Sequence, residues 1–232
     1  SRPPFAELII DYEVVAAIGK DYLGLDWVHP SGDSDSVKKY WDNTIEVFYR
    51  LGYDYIRISG GIYFPGKSRV TDDTAALSRG KRSWSEEGTG VITSWEDFEK
   101  YPWPSLDEVD LRHYEYASGK VPEGMGVFVC PTSGFFEVAK EPILGYENLS
   151  YLLYDDPALV KAVIDRVGEI IYGFYEKLIG LPNLAGFFQG DDMGYKNSTL
   201  VSPAVLREYI LPWHKKLAKL AHDNELIYML HC

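Results

Sequence analysis

Cysteine is nearly absent from this sequence: only Cys130 and Cys232 occur in 232 residues, too few for a disulfide framework. Basic residues are outnumbered, 23 Lys and Arg against 35 Asp and Glu. The resulting net charge of −12 argues against an electrostatic grip on nucleic acid or on an anionic membrane. No run of about 18 apolar residues occurs, and nothing at the N-terminus reads as a signal peptide. A G-x-G-x-x-G after the first strand is also missing, which counts against a dinucleotide fold. These absences lead us to expect a globular, cytoplasmic protein with a small-molecule substrate and neither nucleic acid nor membrane as partner. Aromatic residues are plentiful, 15% of the chain with 18 Tyr and 6 Trp. They suit a lined pocket for an organic ligand as well as a large core.

Apolar runs alternate with helical patterns along the chain. "PFAELII" (Pro4 to Ile10) reads as a first strand. A helix is expected from Ser36 to Leu51, with Val37, Tyr40, Trp41, Ile45, Phe48 and Leu51 on one face and Gly52 closing it. "YDYIRIS" (Tyr53 to Ser59) is the second strand. Residues 60 to 93 are Gly-rich, polar and without periodicity, the mark of a functional loop or an insertion. Ser94 with Asp97, and Ser105 with Glu108, look like capping boxes, the second having the better chemistry. "GVFVCP" (Gly126 to Pro131) is the third strand, and Asp156-Pro157 opens a helix that Gly180 closes. "LAGFFQGDD" (Leu184 to Asp192) is a fourth strand running into a polar loop. Ser202-Pro203 opens another helix, bent at Pro212, before "LIYMLHC", a fifth and buried strand.

No two of these strands stand close enough for a hairpin, so the pattern is one of parallel β/α units. Doubly wound sheets and closed barrels both satisfy it. The missing glycine fingerprint and the count of five units favour a barrel cut short, because eight units take about 250 residues or more. The expected organisation is α/β: a single (β/α)8 TIM barrel domain over residues 1 to 232, about five units of it, with the C-terminal units missing and 60 to 93 as a loop or insertion.

Several residues could carry chemistry. His231 and Cys232 stand at a strand tip, and zinc takes tetrahedral N and S ligands. The alternative is a packed histidine beside an inert thiol, and adjacent strand residues point to opposite faces. Asp191 and Asp192 form a carboxylate pair that could orient a substrate or act as a general acid, or could simply make an Asx-turn. Their aromatic neighbours Phe187, Phe188 and Tyr195 favour a pocket. Glu7, Arg57 and Gln189 interrupt apolar strands, where a charge is costly unless paired or used. Glu7 and Arg57 read first as a structural ion pair, otherwise as substrate ligands. Cys130 reads as a small buried residue. His29, His113, His214 and His222 read as loop, surface or packing residues.

Three longer stretches look familiar: "GFFEVAKEPILGYENLSYLLYDDPALVKAVIDRV", "GFFQGDDMGYKNSTLVSPAVLREYILPWHKKL" and the closing "YMLHC". With the N-terminal "PPFAELIIDYEVV", they resemble the uroporphyrinogen decarboxylase superfamily, which includes the zinc-dependent methyltransferases of corrinoid pathways. The resemblance covers most of the chain and is weak over 60 to 93. It implies a (β/α)8 barrel with its pocket at the C-terminal strand ends and roughly three further units downstream. It also implies methyl transfer between a corrinoid carrier protein and a small thiol or methylated donor. In that reaction zinc activates a thiolate, and Asp191 or Asp192 orients substrate or supplies a proton. A homodimer is compatible with it. In that branch the strand ends in His-x-Cys, whereas here Cys232 follows His231 directly; a cysteine at the next position would make Cys232 only the spacer.

A second reading is cofactor-free decarboxylation of uroporphyrinogen, as in porphyrin metabolism. The arginine-rich motif that binds its carboxylates is missing, and the nearest candidates are Arg57, Arg69, Arg79 and Arg82. A (β/α)8 glycoside hydrolase using the aspartate pair, and a non-catalytic subunit binding a tetrapyrrole or corrinoid protein, are further alternatives.

Overall fold

The computed structural model describes every residue except Ser1, Ala6, Leu8, Ser78, Arg79, Glu86 and Glu87. Its central sheet has four parallel strands: β1 (Tyr55–Ser59), β2 (Gly126–Cys130), β3 (Leu184–Gly190) and β4 (Ile227–His231). They pair in chain order, β1-β2-β3-β4. A doubly wound sheet reverses its order at a switch point, and these four strands do not.

The sheet is buried on both faces. Ile56, Ile58, Val127, Val129 and Phe187 join the main core under the helices. On the opposite face Tyr55, Phe128 and Phe188 form a second cluster with Ala185 and Met229. Alternate residues therefore serve two apolar layers, and for that reason β2 and β3 read as unbroken apolar runs.

Four helices matter for the site: α1 (Ser34–Arg50), α2 (Phe135–Val138), α3 (Pro157–Leu178) and α4 (Leu211–Asp223). Asp33 caps α1 by accepting from the Asp35 and Ser36 amides. α2 continues as a π-helical stretch, Ala139–Leu144. α3 starts where Asp156 accepts from the Leu159 amide at 3.0 Å, with Pro157 in the first turn, where its missing N–H costs nothing. Its apolar residues at helical spacing, Leu159, Val163, Val167, Ile170 and Phe174 among them, are all buried. A π-helical turn, Leu206–Ile210, leads into α4. Pro212, expected to bend a helix interior, sits instead in the first turn of α4, where its missing N–H costs nothing.

Four expectations need correction. Residues 4 to 10 form no strand among the described positions, and Ala6 and Leu8 lie outside them. Side-chain bonding holds the segment instead: the Tyr55 hydroxyl donates to the Glu7 carbonyl at 2.9 Å and accepts from the Glu7 amide at 2.6 Å. β4 is an edge strand rather than a buried one, with Ile227 55% and Leu230 38% exposed.

Hairpin geometry does occur. Ser68–Asp72 pairs antiparallel with Lys81–Ser85 inside the 60 to 93 segment, and Gly194–Tyr195 pairs with Ser198–Thr199. The larger hairpin's strands are polar and mostly exposed, so no alternation betrays them. Arg82 ties that hairpin to Glu13 at 2.9 Å. Of the two capping boxes, Ser94 is the one that opens an α-helix, Trp95–Lys100. Ser105 starts only a three-residue 3-10 turn.

α3 and α4 cross at Gly168, where an added Cβ would lie 2.2 Å from the Trp213 ring. Trp213 cannot easily move aside, because its indole N–H is bonded to Asp165 at 3.1 Å. Alanine exceeds glycine in helix propensity by about 1 kcal/mol, yet Gly168→Ala is expected to destabilise by about 1–3 kcal/mol through overpacking. Urea unfolding checks the sign.

Candidate functional site

Strand parity places the candidate groups. Arg57, Cys130, Gly190 and His231 each lie two residues beyond an inner-face residue, Tyr55, Phe128, Phe188 and Met229 respectively, so they share that face at the C-terminal strand ends. There they line a cavity of about 440 Å3 together with Ser59, Glu137 and Asp192. A neighbouring groove of about 270 Å3 runs under the 68–85 hairpin past Tyr63, Trp84 and Glu141. Ile62, Thr132, Ser133 and Glu137 line both, so Glu137 stands where cavity and groove meet.

The two aspartates, expected as a pair, do different things. Asp191 has no exposed surface and is fully engaged. Its Oδ1 accepts from the Glu137 amide at 2.9 Å, and its Oδ2 from the Phe136 amide at 3.2 Å and from His214 Nε2 at 2.8 Å. It therefore caps α2, whose own N-cap residue, Gly134, has no side chain to do so. A Cβ at 134 would lie 2.1 Å from Asp191, so glycine there is a condition of the contact. Asp192, the next residue, is exposed and reaches the cavity.

The other candidates separate in the same way. Gln189 is buried and structural: it accepts from the Tyr175 hydroxyl at 2.5 Å and donates to the carbonyls of Thr132 and Gly190. Tyr195 lies on the exposed two-residue ribbon beyond β3 and does not line the cavity. Glu7 and Arg57 both line a smaller cavity beside α1, but no ion pair joins them among the described residues, so the structural pair expected from the sequence is not formed. Arg57 instead faces the Cys130 thiol. Burial pushes that thiol up, while the nearby guanidinium partly offsets the rise. The Cys130 Sγ–H donates to the Thr132 carbonyl at 3.4 Å.

His231 Nδ1 lies 3.8 Å from Asp192 Oδ1, and Cys232 is exposed. Among the described residues no three His, Cys, Asp or Glu side chains group so as to hold a metal. Zinc takes four ligands, three or more of them from protein, so the donors present here do not make up its set.

Two further residues belong to the site. His214, read as surface or packing, is 5% exposed. Its Nε2 serves Asp191, and its Nδ1 accepts from the Tyr228 hydroxyl at 2.7 Å, a phenol whose pKa burial raises. The second is Glu137. Its carboxyl is pushed up from 4.5 to about 6, first by burial and then by Glu141, against a hydrogen bond from Ser133, with Asp191 and Asp192 adding to the rise. A lone carboxylate in "GFFEVAK" was the available signal.

Among solved structures, the chain is similar to a methyltransferase from Methanosarcina mazei, with a TM-score of 0.63 and 13% sequence identity. The match covers 98% of this chain and 64% of that one. The likeness is one of fold. The chain thus spans about two thirds of the length of that structure. No family model matches the sequence, and no curated protein matches it. Among the described residues no helix is long and apolar enough to cross a membrane.

The raised Glu137 carboxyl makes stability depend on pH. Below pH 4.5 the folded and unfolded chains both hold the proton. As pH rises toward 6 the unfolded chain ionises first, so folding loses stability, by at most about 2 kcal/mol before solvent screening. Glu137→Gln is therefore expected to gain on the wild type in thermal melts at pH 8, with that gain gone at pH 4.

Proposed function

We propose that this chain carries the active-site part of a methyltransferase, with the strand-tip cavity holding the methyl donor or acceptor. One observation carries the reading: titratable groups from all four parallel strands or the segments that follow them, Arg57, Cys130, Glu137 on α2, Asp192 and His231, share one cavity, in a fold similar to that of a methyltransferase. Catalytic groups of (β/α)8 enzymes gather at this end of the strands. The chain-order sheet supports a barrel that further β/α units would close, and the resemblance to the uroporphyrinogen decarboxylase superfamily supports a corrinoid carrier protein as the methyl-bearing partner.

Within the cavity, Arg57 binds an anionic group of the substrate, since a guanidinium offers paired donors to a carboxylate. Asp192 and Glu137 hold the other end. Asp191 acts through the α2 amides rather than on substrate. Zinc at His231 and Cys232 belongs to the resemblance alone. The donors described do not complete it, and none of these roles depends on it.

The alternatives fit less well. Uroporphyrinogen is polyanionic, and among the described residues Arg57 is the single arginine on the cavity. Arg82 is spent in ion pairs with Asp73 and Glu13, Arg69 lies on the exposed hairpin, and Arg79 lies outside the described residues. For a glycoside hydrolase, Asp191 is committed to three hydrogen bonds and does not flank the cavity.

The test uses the full-length protein with free reduced cobalamin in place of the carrier, following the cobalamin spectrum as methyl groups arrive. Transfer is expected from a methylated donor, falling at least tenfold in Arg57→Gln and in Asp192→Asn. The same preparation reports zinc: about one per chain, lost in His231→Ala, would restore the thiolate scheme. No transfer from any donor, with coproporphyrinogen formed from uroporphyrinogen instead, would transfer the assignment to the decarboxylase reading.

A further inference from the structure

Opposite charges line the strand-tip cavity: Arg57 with Glu137 and Asp192. Arg57 makes no ion pair among the described residues. Glu137 is held by the Ser133 hydroxyl at 3.0 Å. The Cys130 thiol lines the same cavity; burial raises its pKa first, the Arg57 guanidinium lowers it and the Glu137 carboxylate adds to the rise.

The separation is built in. Arg57 is fixed on β1, paired across from Phe128. Glu137 is fixed at the start of α2 by the Asp191 carboxylate on its amide. Asp192 follows β3, two strand positions away from Arg57, which is roughly 10 Å across a parallel sheet. A ligand of one sign would leave either Arg57 or Glu137, both half-buried, without a counter-charge, and an unpaired charge there is costly.

From this we infer that the cavity takes a small zwitterion, its carboxylate on Arg57 and its cationic methylated nitrogen toward Glu137 and Asp192. The inference rests on the methyl-transfer reading, which makes the nitrogen a methyl donor. In that step the nitrogen–methyl bond breaks with its electron pair left on nitrogen, so a neutral tertiary amine leaves and no proton is required. The methyl group forms its new bond to the reduced corrinoid of the carrier. Glu137 and Asp192 serve as counter-charges to the cation, and Arg57 sets the end-to-end direction.

The experiment is calorimetric titration of the full-length protein with glycine betaine and two analogues of nearly its shape. These are 3,3-dimethylbutanoate, which lacks the cation, and choline, which lacks the carboxylate. Betaine is expected to bind at least about tenfold more tightly than either. In Arg57→Gln its affinity falls to the level of choline, while Arg57→Lys restores part of it. In Asp192→Asn the advantage over 3,3-dimethylbutanoate shrinks, and melting curves confirm that each variant folds. Equal binding of betaine and either analogue overturns the inference. So does the failure of both betaine and the longer zwitterion carnitine to bind. Methyl transfer to cobalamin from a non-zwitterionic donor, without betaine binding, sinks the zwitterion and leaves the methyltransferase. Betaine binding without methyl transfer to cobalamin upholds the site and sinks the reaction.

Discussion

A carboxylate with no access to solvent has to be satisfied by the protein, and Asp191 is satisfied from three directions. Two α2 amides and the His214 ring close on its oxygens. Leaving any of these groups buried without a partner would cost on the order of 1–3 kcal/mol. The geometry is therefore strongly held, and it fixes three elements at once. α2 is docked onto the tip of β3, α4 is docked through His214, and β4 is drawn in through Tyr228. The Asp191 amide also donates to the His231 carbonyl at 2.9 Å, so the edge strand is anchored at its end as well as along its ladder.

This arrangement decides what faces the cavity. With Asp191 turned away to hold the helices, its neighbour Asp192 is the carboxylate left at the strand tip. The hydrogen bond from the Glu137 amide to the Asp191 carboxylate sets where Glu137 begins its side chain, half-buried near other acids, and this raises its pKa. Arg57, Cys130 and His231 reach the same space by strand parity alone. Structural and chemical work are thus split between adjacent residues, as they are on β3, where Phe188 faces the inner cluster while Phe187 and Gln189 face the helices.

The sequence was most legible where burial is complete. β2, β3 and α3 are apolar on the faces that count, and Asp156-Pro157 announces the start of α3. β1 and β4 were placed within two residues. The 68–85 hairpin was not visible, because its polar, exposed strands carry no alternation. The N-terminal apolar run misled: Phe5 packs on Tyr53 and the Glu7 backbone bonds to the Tyr55 hydroxyl, and none of the described residues there joins the sheet ladder. His214 was hidden for a different reason. It sits in an amphipathic helix rich in lysine, and its partner is 23 residues away in the chain. Only the folded topology brings a loop carboxylate under that helix. Gln189 misled in the opposite sense: a polar residue in an apolar strand suggested a ligand, and it met Tyr175 on the helix side instead.

The central claim is that the Asp191–His214 contact organises the site. A double-mutant cycle on Asp191→Asn and His214→Phe, read by urea unfolding, tests it most directly. Residues sharing one buried network couple by about 0.5–3 kcal/mol, and a coupling of at least about 1 kcal/mol is expected here. Additive effects of the two substitutions would show that each residue acts alone and would contradict the account.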